Sequence, residues 1–315
     1  MMRVAGIDCG TNSIRLLIAD ADLSNGNVRL EERLRTMRVV RLGQGVDATG
    51  AFSDEALKRT FAAVRDYKQL VDEHEVEQLR FVATSAARDV SNREQFIEGI
   101  TQILGIAPEV ISGEVEANLS FTGATSVLPE SSGTSLVIDL GGGSTEFVIG
   151  TSAGVQAAKS LDVGCVRVTE RFGEAQLRSV ECVQMVDQML AELQGVLDLG
   201  SVQQVLVVAG TFTTLTACAL GLDRYDSQRI HGARISFEQM RGATGWMLDS
   251  TREQRADLGY MHPGRVDVIS AGALIVERIL ALLEDANPQG PRELIASEHD
   301  ILDGIASSAA LLTRD

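Results

Sequence analysis

Cysteine and histidine are scarce in this chain, and their scarcity excludes two kinds of site. The sequence of 315 residues has four of each. Its cysteines, Cys9, Cys165, Cys182 and Cys218, form no Cys-X-X-Cys pair, and the histidines lack metal-ligand spacing. A disulfide framework or a structural zinc site needs such spacing. We therefore predict neither, and we expect a protein of the reducing cytoplasm.

Long apolar runs and an excess of basic charge are also missing. No stretch approaches the roughly 20 apolar residues that a membrane-spanning helix needs, and no charged-then-apolar leader precedes the first predicted strand. The chain has 28 Lys and Arg against 44 Asp and Glu, a formal net charge of −16. We expect no membrane partner, no secretory signal and no general nucleic-acid binding. An anionic ligand must therefore be held by local donors.

Two related glycine-rich loops carry the strongest signal. The first reads Ile-Asp-Cys-Gly-Thr-Asn-Ser over residues 7–13, and the second reads Ile-Asp-Leu-Gly-Gly-Gly-Ser-Thr-Glu over residues 138–146. Each follows a short apolar run and leads into another one. This order predicts a β-hairpin whose loop N–H groups and hydroxyls bind phosphate. The repetition predicts a duplicated architecture in which two half-sites face each other across a cleft.

Neither loop has the lysine and following helix of a Walker A loop, nor the pattern of a dinucleotide fingerprint. A carboxylate beside a phosphate would repel it, so Asp8 and Asp139 are assigned to a divalent cation, Mg²⁺ or Mn²⁺. Glu146 is predicted to hold metal or to orient water. For each acid the alternative is a buried structural partner of an arginine. The loop residues predicted to bind phosphate are Gly10, Thr11, Asn12, Ser13, Gly141, Gly142, Gly143, Ser144 and Thr145.

Four segments together resemble the exopolyphosphatase and guanosine pentaphosphate phosphohydrolase (Ppx/GppA) family, within the actin, sugar kinase and Hsp70 ATPase superfamily. They are residues 6–13, 83–88 (Ala-Thr-Ser-Ala-Ala-Arg), 111–117 (Ile-Ser-Gly-Glu-Val-Glu-Ala) and 139–146. The length of 315 residues fits the family's short two-domain form. The resemblance implies an α/β fold of two ribonuclease H-like (actin-like ATPase) domains facing an interdomain cleft.

The alternation of predicted strands and helices divides the chain into a first domain over residues 1–129 and a second over residues 130–299. In this superfamily the C-terminal helix, here about residues 300–315, often crosses back to the first domain. The pattern also predicts helices that start at Ser53, Asn92 and Ser112. The apolar, β-branched run 205–209 predicts a central strand.

Glu116 is the predicted general base. It falls in the first turn of the helix capped by Ser112, in a pattern that resembles the family's catalytic segment, and a helix N-terminus stabilises an ionised carboxylate. Glu114, two positions earlier, is interpreted as a solvated acid. Arg88 follows a strand end, and its planar fork suits phosphate oxygens. Arg93 is assigned to phosphate as well, and a surface charge is the alternative for both arginines.

Further candidates lie outside the four segments or at their edges. Arg15 alternates with core-facing residues, so it is predicted to reach phosphate or solvent. Gly210 and Thr211 are predicted to contact substrate from a glycine-rich turn, although Ala209, where many relatives carry glycine, weakens a purine site. Arg265 and Asp267, in Gly-Arg-Val-Asp-Val-Ile, also resemble a family segment, and a helix-capping ion pair is the alternative for them.

These assignments predict a metal-dependent exopolyphosphatase. Glu116 would activate water for attack on the terminal phosphoryl group of inorganic polyphosphate, held between the two loops, while Arg88 and the loop N–H groups stabilise its oxygens. The resemblance leaves conversion of pppGpp to ppGpp open as an alternative. A kinase or ATPase of the same superfamily and a non-catalytic nucleotide-sensing protein represent other classes. We also expect a homodimer.

Overall fold

The computed structural model describes residues 1–23, 28–88, 90–126 and 133–312. The chain divides into two compact units, of which unit 1 is Met1–Gly123 with Ile301–Asp315 and unit 2 is Ala124–Asp300. The boundary predicted between residues 129 and 130 lies outside the described residues.

The strands along the described residues are β1 (Met2–Cys9), β2 (Ser13–Asp22), β3 (Arg29–Val39), β4 (Gln78–Ala83), β5 (Glu109–Val110), β6 (Ser135–Leu140), β7 (Thr145–Thr151), β8 (Gly154–Leu161), β9 (Gln204–Val208), β10 (Arg234–Ser236) and β11 (Glu293–Ala296). The α-helices are α1 (Val46–Thr49), α2 (Asp54–Glu73), α3 (Arg93–Leu104), α4 (Gly113–Thr125), α5 (Cys165–Phe172), α6 (Val180–Ala191), α7 (Ala209–Ala219), α8 (Ser227–Ile230), α9 (Phe237–Asp249), α10 (Arg252–Ala256), α11 (Ile269–Ala286) and α12 (Ile301–Ala309).

Each unit is built on one mixed sheet, and the two sheets share a topology. The sheet of unit 1 has the order β3-β2-β1-β4-β5, and that of unit 2 has the order β10-β11-β9-β6-β7-β8. In both, the first three strands form an antiparallel meander and the next strand pairs in parallel with the first of them. The predicted duplication is therefore present in the fold, and the predicted α/β class is confirmed.

Local signals explain where several elements begin and end. The Ser53 hydroxyl accepts the Ala56 N–H at 3.2 Å and caps α2, as predicted. Gly105, at φ 78°, ends α3 in the left-handed conformation that glycine adopts without strain. The predicted central strand is β9, which lies between β11 and β6 in the core of unit 2.

The C-terminal helix α12 belongs to unit 1, where it packs on β1. A side chain at Gly6 would bring a Cβ atom within 2.9 Å of the Ala306 backbone nitrogen, so glycine permits this close approach. Leu302 and Ala306 of α12 are buried against Leu17 of β2. Across the described residues no helix is long and apolar enough to span a membrane.

One local prediction needs correction. The segment after β9 was expected to be a glycine-rich turn, but Gly210 and Thr211 lie in the first turn of the 11-residue helix α7. Its many threonines have weak helix propensity. These threonines are nevertheless buried in α7, and Thr214 and Thr216 are completely buried. Tertiary packing therefore stabilises this helix more than the intrinsic helix propensity of its residues does.

Candidate active site

The first loop (residues 10–13) closes the β1–β2 hairpin of unit 1. The Gly10 N–H donates to the Ser13 carbonyl at 3.0 Å. The segment after β3 holds the loop from one side, since the Gly43 N–H donates to the Thr11 carbonyl at 2.9 Å and two further N–H groups of that segment donate to the Asn12 carbonyl at 3.0 and 2.8 Å. The carbonyl and N–H of a trans peptide point in opposite directions. The Asn12 N–H, which shares a peptide with the Thr11 carbonyl, therefore points away from this segment.

Asp8 and Arg15 are cross-strand neighbours, separated from the first loop by one residue pair. Arg15 donates from Nε and Nη2 to Oδ2 of Asp8, at 2.9 and 2.6 Å. Asp8 is buried. Arg15 was predicted to reach phosphate or solvent, and the structure turns it onto this carboxylate. A metal role for Asp8 therefore remains a prediction, and the carboxylate would have to share its oxygens with this guanidinium.

Glu116 and Arg88 form the second cluster in unit 1. The short 3₁₀ turn Ser85–Ala87 after β4 delivers Arg88, whose Nη2 forms an ion pair with Oε2 of Glu116. Glu116 is only 7% exposed, whereas Glu114 is exposed to solvent, as predicted. The Nε of Arg88 is buried and has no hydrogen-bond partner among the described residues. A buried N–H without an acceptor is uncommon in folded proteins, and it marks this guanidinium as a candidate ligand contact.

Two side chains connect this cluster with its surroundings. The Thr11 hydroxyl lies 3.0 Å from the Ser85 hydroxyl, which ties the first loop to the turn that carries Arg88. Arg93, predicted to bind phosphate, is exposed and donates from Nη1 to the Arg88 carbonyl at 3.1 Å. It therefore supports the backbone of Arg88, and a phosphate contact by Arg93 stays a prediction.

The second loop (residues 141–144) closes the β6–β7 hairpin of unit 2 in the same way. The Gly141 N–H donates to the Ser144 carbonyl at 3.0 Å, the bond that Gly10 makes in the first loop. Thr145 was predicted to bind phosphate, but its fully buried hydroxyl donates to the Val163 carbonyl at 2.5 Å. Its hydroxyl thus has a structural partner, and phosphate binding by the N–H groups of the loop and by Ser144 stays a prediction.

Asp139 and Glu146 occupy, in unit 2, the positions that Asp8 and Arg15 occupy in unit 1. They are cross-strand neighbours of β6 and β7 and are 7% and 1% exposed. The Ser160 hydroxyl on β8 donates to Oε1 of Glu146 at 2.7 Å. Two buried carboxylates on facing positions repel each other. A cation bound there would relieve that repulsion.

The chemistry of this pair suits a divalent cation. Mg²⁺ is commonly held by one or two carboxylates and completes its shell with water and substrate phosphate oxygens. No cluster of three or more His, Cys, Asp or Glu side chains within the described residues is arranged to hold a metal. A site made from Asp139 and Glu146 would therefore depend on substrate and water for its remaining ligands.

The N-terminus of α7 forms a third group of candidate residues, also in unit 2. A side chain at Gly210 would collide with the Arg265 guanidinium, whose Nη2 would lie 2.1 Å from the added Cβ. The Nη1 of Arg265 lies 3.4 Å from the Thr214 hydroxyl. Ala209 has φ 68°, a left-handed conformation that favours glycine. The backbone thus keeps the geometry of a glycine where this chain carries alanine.

Sequence reasoning missed three contacts around these residues. All three join positions that are distant in sequence. They are the backbone bonds from residues 40–43 to the first loop, the bond from Arg167 to the second loop, and the Ser160 contact to Glu146. Of these contacts, only that of the segment 40–43 has a recognisable residue in the sequence, which is Gly43. A Cβ atom at this position would lie 2.3 Å from the Thr11 methyl group, so glycine permits the close approach.

Comparison with known proteins identifies the family. The model of the Ppx/GppA phosphatase family matches residues 23–309. The chain belongs to this family. It is 44% identical over 319 aligned residues to exopolyphosphatase 2 of Mycobacterium tuberculosis, covering 98% of this chain and 99% of that protein. Enzymes of this family generally depend on a divalent metal.

Solved structures give the same result. A crystal structure of an exopolyphosphatase-like protein superimposes with a TM-score of 0.89 at 44% identity, over 96% of this chain and 97% of that one. The Ppx/GppA family member of Aquifex aeolicus superimposes with a TM-score of 0.77 at 31% identity, over 98% of each chain. The actin-like fold that the resemblance implied is therefore confirmed.

Proposed function

We propose that this protein is an exopolyphosphatase, which hydrolyses the terminal phosphoanhydride bond of inorganic polyphosphate and releases orthophosphate. The name of the Mycobacterium tuberculosis relative, at 44% identity over nearly the whole chain, supports this substrate. The observation that carries the chemistry is the Glu116–Arg88 pair. A buried carboxylate lies beside a guanidinium that still has one buried N–H without an acceptor.

The pair suits attack by water on a terminal phosphoryl group. Glu116 accepts a proton as water oxygen bonds to the terminal phosphorus, and the bond from phosphorus to the bridging oxygen breaks. The products are orthophosphate and a chain shortened by one phosphate. Arg88 keeps Glu116 oriented through Nη2. Its Nε donates to a non-bridging oxygen of the phosphoryl group, on which negative charge grows during the attack. One guanidinium thus positions the base and contacts the group under attack.

The second loop supplies the other donors. Its N–H groups would bind phosphate oxygens of the polyphosphate, as glycine-rich turns do in other phosphate sites. Asp139 and Glu146 would hold Mg²⁺ or Mn²⁺, which would neutralise charge on the phosphoryl oxygens. The proposal also assigns the protein to the cytoplasm, as a homodimer.

Phosphate release from polyphosphate, pppGpp and ATP, measured side by side with and without Mg²⁺, tests the proposal. We expect fastest release from polyphosphate, dependent on the metal and strongly reduced by Glu116→Gln. Faster turnover of pppGpp would move the assignment to the pentaphosphate phosphohydrolases. Preference for ATP would point to an ATPase or kinase, and tight binding with no turnover of any substrate would overturn the catalytic proposal.

A further inference from the structure

The second loop is held from behind by the first turn of α5. The N–H groups of Cys165 and Val166 donate to the carbonyls of Gly141 and Gly142, at 3.1 and 2.9 Å. The N–H of Arg167 donates to the Gly142 carbonyl as well, at 3.1 Å. A helix N-terminus leaves its first N–H groups without partners in the helix, and in other proteins these groups often bind anions. In α5 they donate to carbonyls of the second loop instead.

Arg167 adds a side-chain bond to this set. Its Nε donates to the Gly143 carbonyl at 2.9 Å, and its Nη2 lies 3.8 Å from Asp162. The fit between loop and helix is tight, because a Cβ atom at Gly164 would lie 2.4 Å from the Gly142 oxygen and 2.6 Å from the Gly143 nitrogen. Helix and loop are therefore in backbone contact.

The direction of these bonds fixes where the loop N–H groups point. In a planar trans peptide the carbonyl and the N–H of the next residue point to opposite sides. The carbonyls of residues 141, 142 and 143 all point at α5. The N–H groups of Gly142, Gly143 and Ser144 therefore point away from α5, and three successive N–H groups on one side form an anion-binding concavity.

We infer that Arg167 is a positioning residue for phosphate binding, whose Nε–H fixes the Gly143–Ser144 peptide and so aims the Ser144 N–H at the substrate. The first two peptides are fixed by backbone donors of α5, which only a proline substitution would remove. The third is fixed by the Arg167 side chain. The inference rests on the proposed function, because it names what shapes the phosphate loop of that site.

Three substitutions of similar length separate the possible roles of Arg167. Glutamine places its Nε2 the same number of bonds from Cα as the arginine Nε, so Arg167→Gln keeps the donor and loses the charge. Arg167→Lys keeps the charge and has a methylene at that position. Arg167→Met has a methyl group at the position of the arginine Nε, so it loses both the donor and the charge. Arg171, exposed one turn further along α5 beside the Phe172 ring, is the matched control for general effects on the helix.

The measurements are KM and kcat on polyphosphate, the Kd for pyrophosphate by calorimetry, and the melting temperature of each variant. We expect Arg167→Met and Arg167→Lys to raise both KM and Kd about tenfold, the scale of one hydrogen bond. Arg167→Gln and Arg171→Met should stay near wild type. Loss of binding in Arg167→Gln with retention in Arg167→Lys would overturn the inference, because the charge would then contact the substrate directly. Equal binding by all variants would overturn it as well.

Failure of the proposed function would look different. Wild-type protein that binds pyrophosphate but does not hydrolyse polyphosphate would contradict the exopolyphosphatase assignment. The ranking of the variants by pyrophosphate Kd would still test the role of Arg167. Wild-type protein with no affinity for pyrophosphate would overturn the inference along with the phosphate loop it describes.

Discussion

The two hairpin loops share a fold but differ in the residues beside them. In unit 1 the strand position opposite Asp8 holds Arg15, and the two side chains form an ion pair. In unit 2 the same position opposite Asp139 holds Glu146. Opposite charges on facing strand positions stabilise a hairpin, whereas like charges destabilise it. The first pair thus neutralises itself, while the second pair is suited to bind a cation.

The supports behind the loops differ as well. Backbone donors of the segment after β3 hold the first loop, and the first turn of α5 holds the second. The cluster of Glu116 and Arg88 lies in unit 1, where the Thr11–Ser85 contact connects it with the first loop. Under the proposed function the two units have diverged in role, with proton transfer proposed for unit 1 and metal binding proposed for unit 2.

The largest expected effect comes from the base in unit 1. Glu116→Gln should lower kcat on polyphosphate by roughly 10²–10⁴, because the amide cannot accept the proton of the attacking water. KM should change little. Glu114→Gln, an exposed acid two positions earlier, is the control and should remain near wild type. Near-normal turnover in Glu116→Gln would remove the general-base assignment.

Arg88→Lys should have the next largest effect. Lysine keeps the charge but cannot contact Glu116 and a phosphate oxygen with a planar fork. We expect kcat/KM to fall about tenfold with little change in melting temperature. Arg93→Lys, at an exposed position, should change kcat/KM less. A large drop in melting temperature without a kinetic effect would make Arg88 a structural residue.

A smaller effect is expected at the start of α7. Ala209 has φ 68°, where an L-residue with a Cβ atom is strained by about 1–2 kcal/mol. Ala209→Gly should therefore raise the free energy of unfolding by about 1 kcal/mol, measured by chemical denaturation. Ala217→Gly, at a buried position inside the same helix, should lower it. Destabilisation by both substitutions would show that the backbone at position 209 is not strained.

The smallest predicted effect depends on pH. Burial, followed by the nearby charge of Arg265, lowers the pKa of His262 below its ordinary value of 6.5. The neutral ring accepts the Gly264 N–H at 3.1 Å and caps the turn that carries Arg265. Because the folded-state pKa is depressed, this contribution is present above pH 6.5 and is lost as pH falls through the folded-state value.

The His262→Asn variant isolates this titration, since its side-chain oxygen also accepts the Gly264 N–H but does not change charge. On acidification from about pH 8 to about pH 5, the free energy of unfolding of the wild type should fall relative to that of the variant. A difference that is constant with pH would mean that His262 does not titrate differently in the folded and unfolded chains.

Much of this site follows from the sequence, because its signals are local. The two loops, the strands beside them and the helix caps at Ser53 and Ser112 depend on neighbouring residues. The pairing of Asp8 with Arg15 could also have been predicted from the sequence. Hairpin closure between Gly10 and Ser13 sets the register, and that register places these two residues opposite each other.

Contacts between segments that are distant in the chain could not be predicted from the sequence. The helix α7 forms from a threonine-rich stretch because its side chains are buried in the core of unit 2, which propensity does not report. The hydrogen bond from Arg167 to Gly143 joins a helix to a loop across β7 and β8. Both depend on the packing of the whole unit, and no spacing rule in the sequence gives them.

The most direct test of divergence between the two loops is a metal titration of polyphosphate hydrolysis by Asp139→Asn and Asp8→Asn. We predict that Asp139→Asn needs at least tenfold more Mg²⁺ for half-maximal activity and recovers partly at high metal, as expected when one carboxylate ligand is lost. Asp8→Asn should shift the metal curve less than Asp139→Asn, because the Asp8 carboxylate is already paired with Arg15. The opposite pattern, or equal shifts in both variants, would contradict the assignment of metal binding to unit 2.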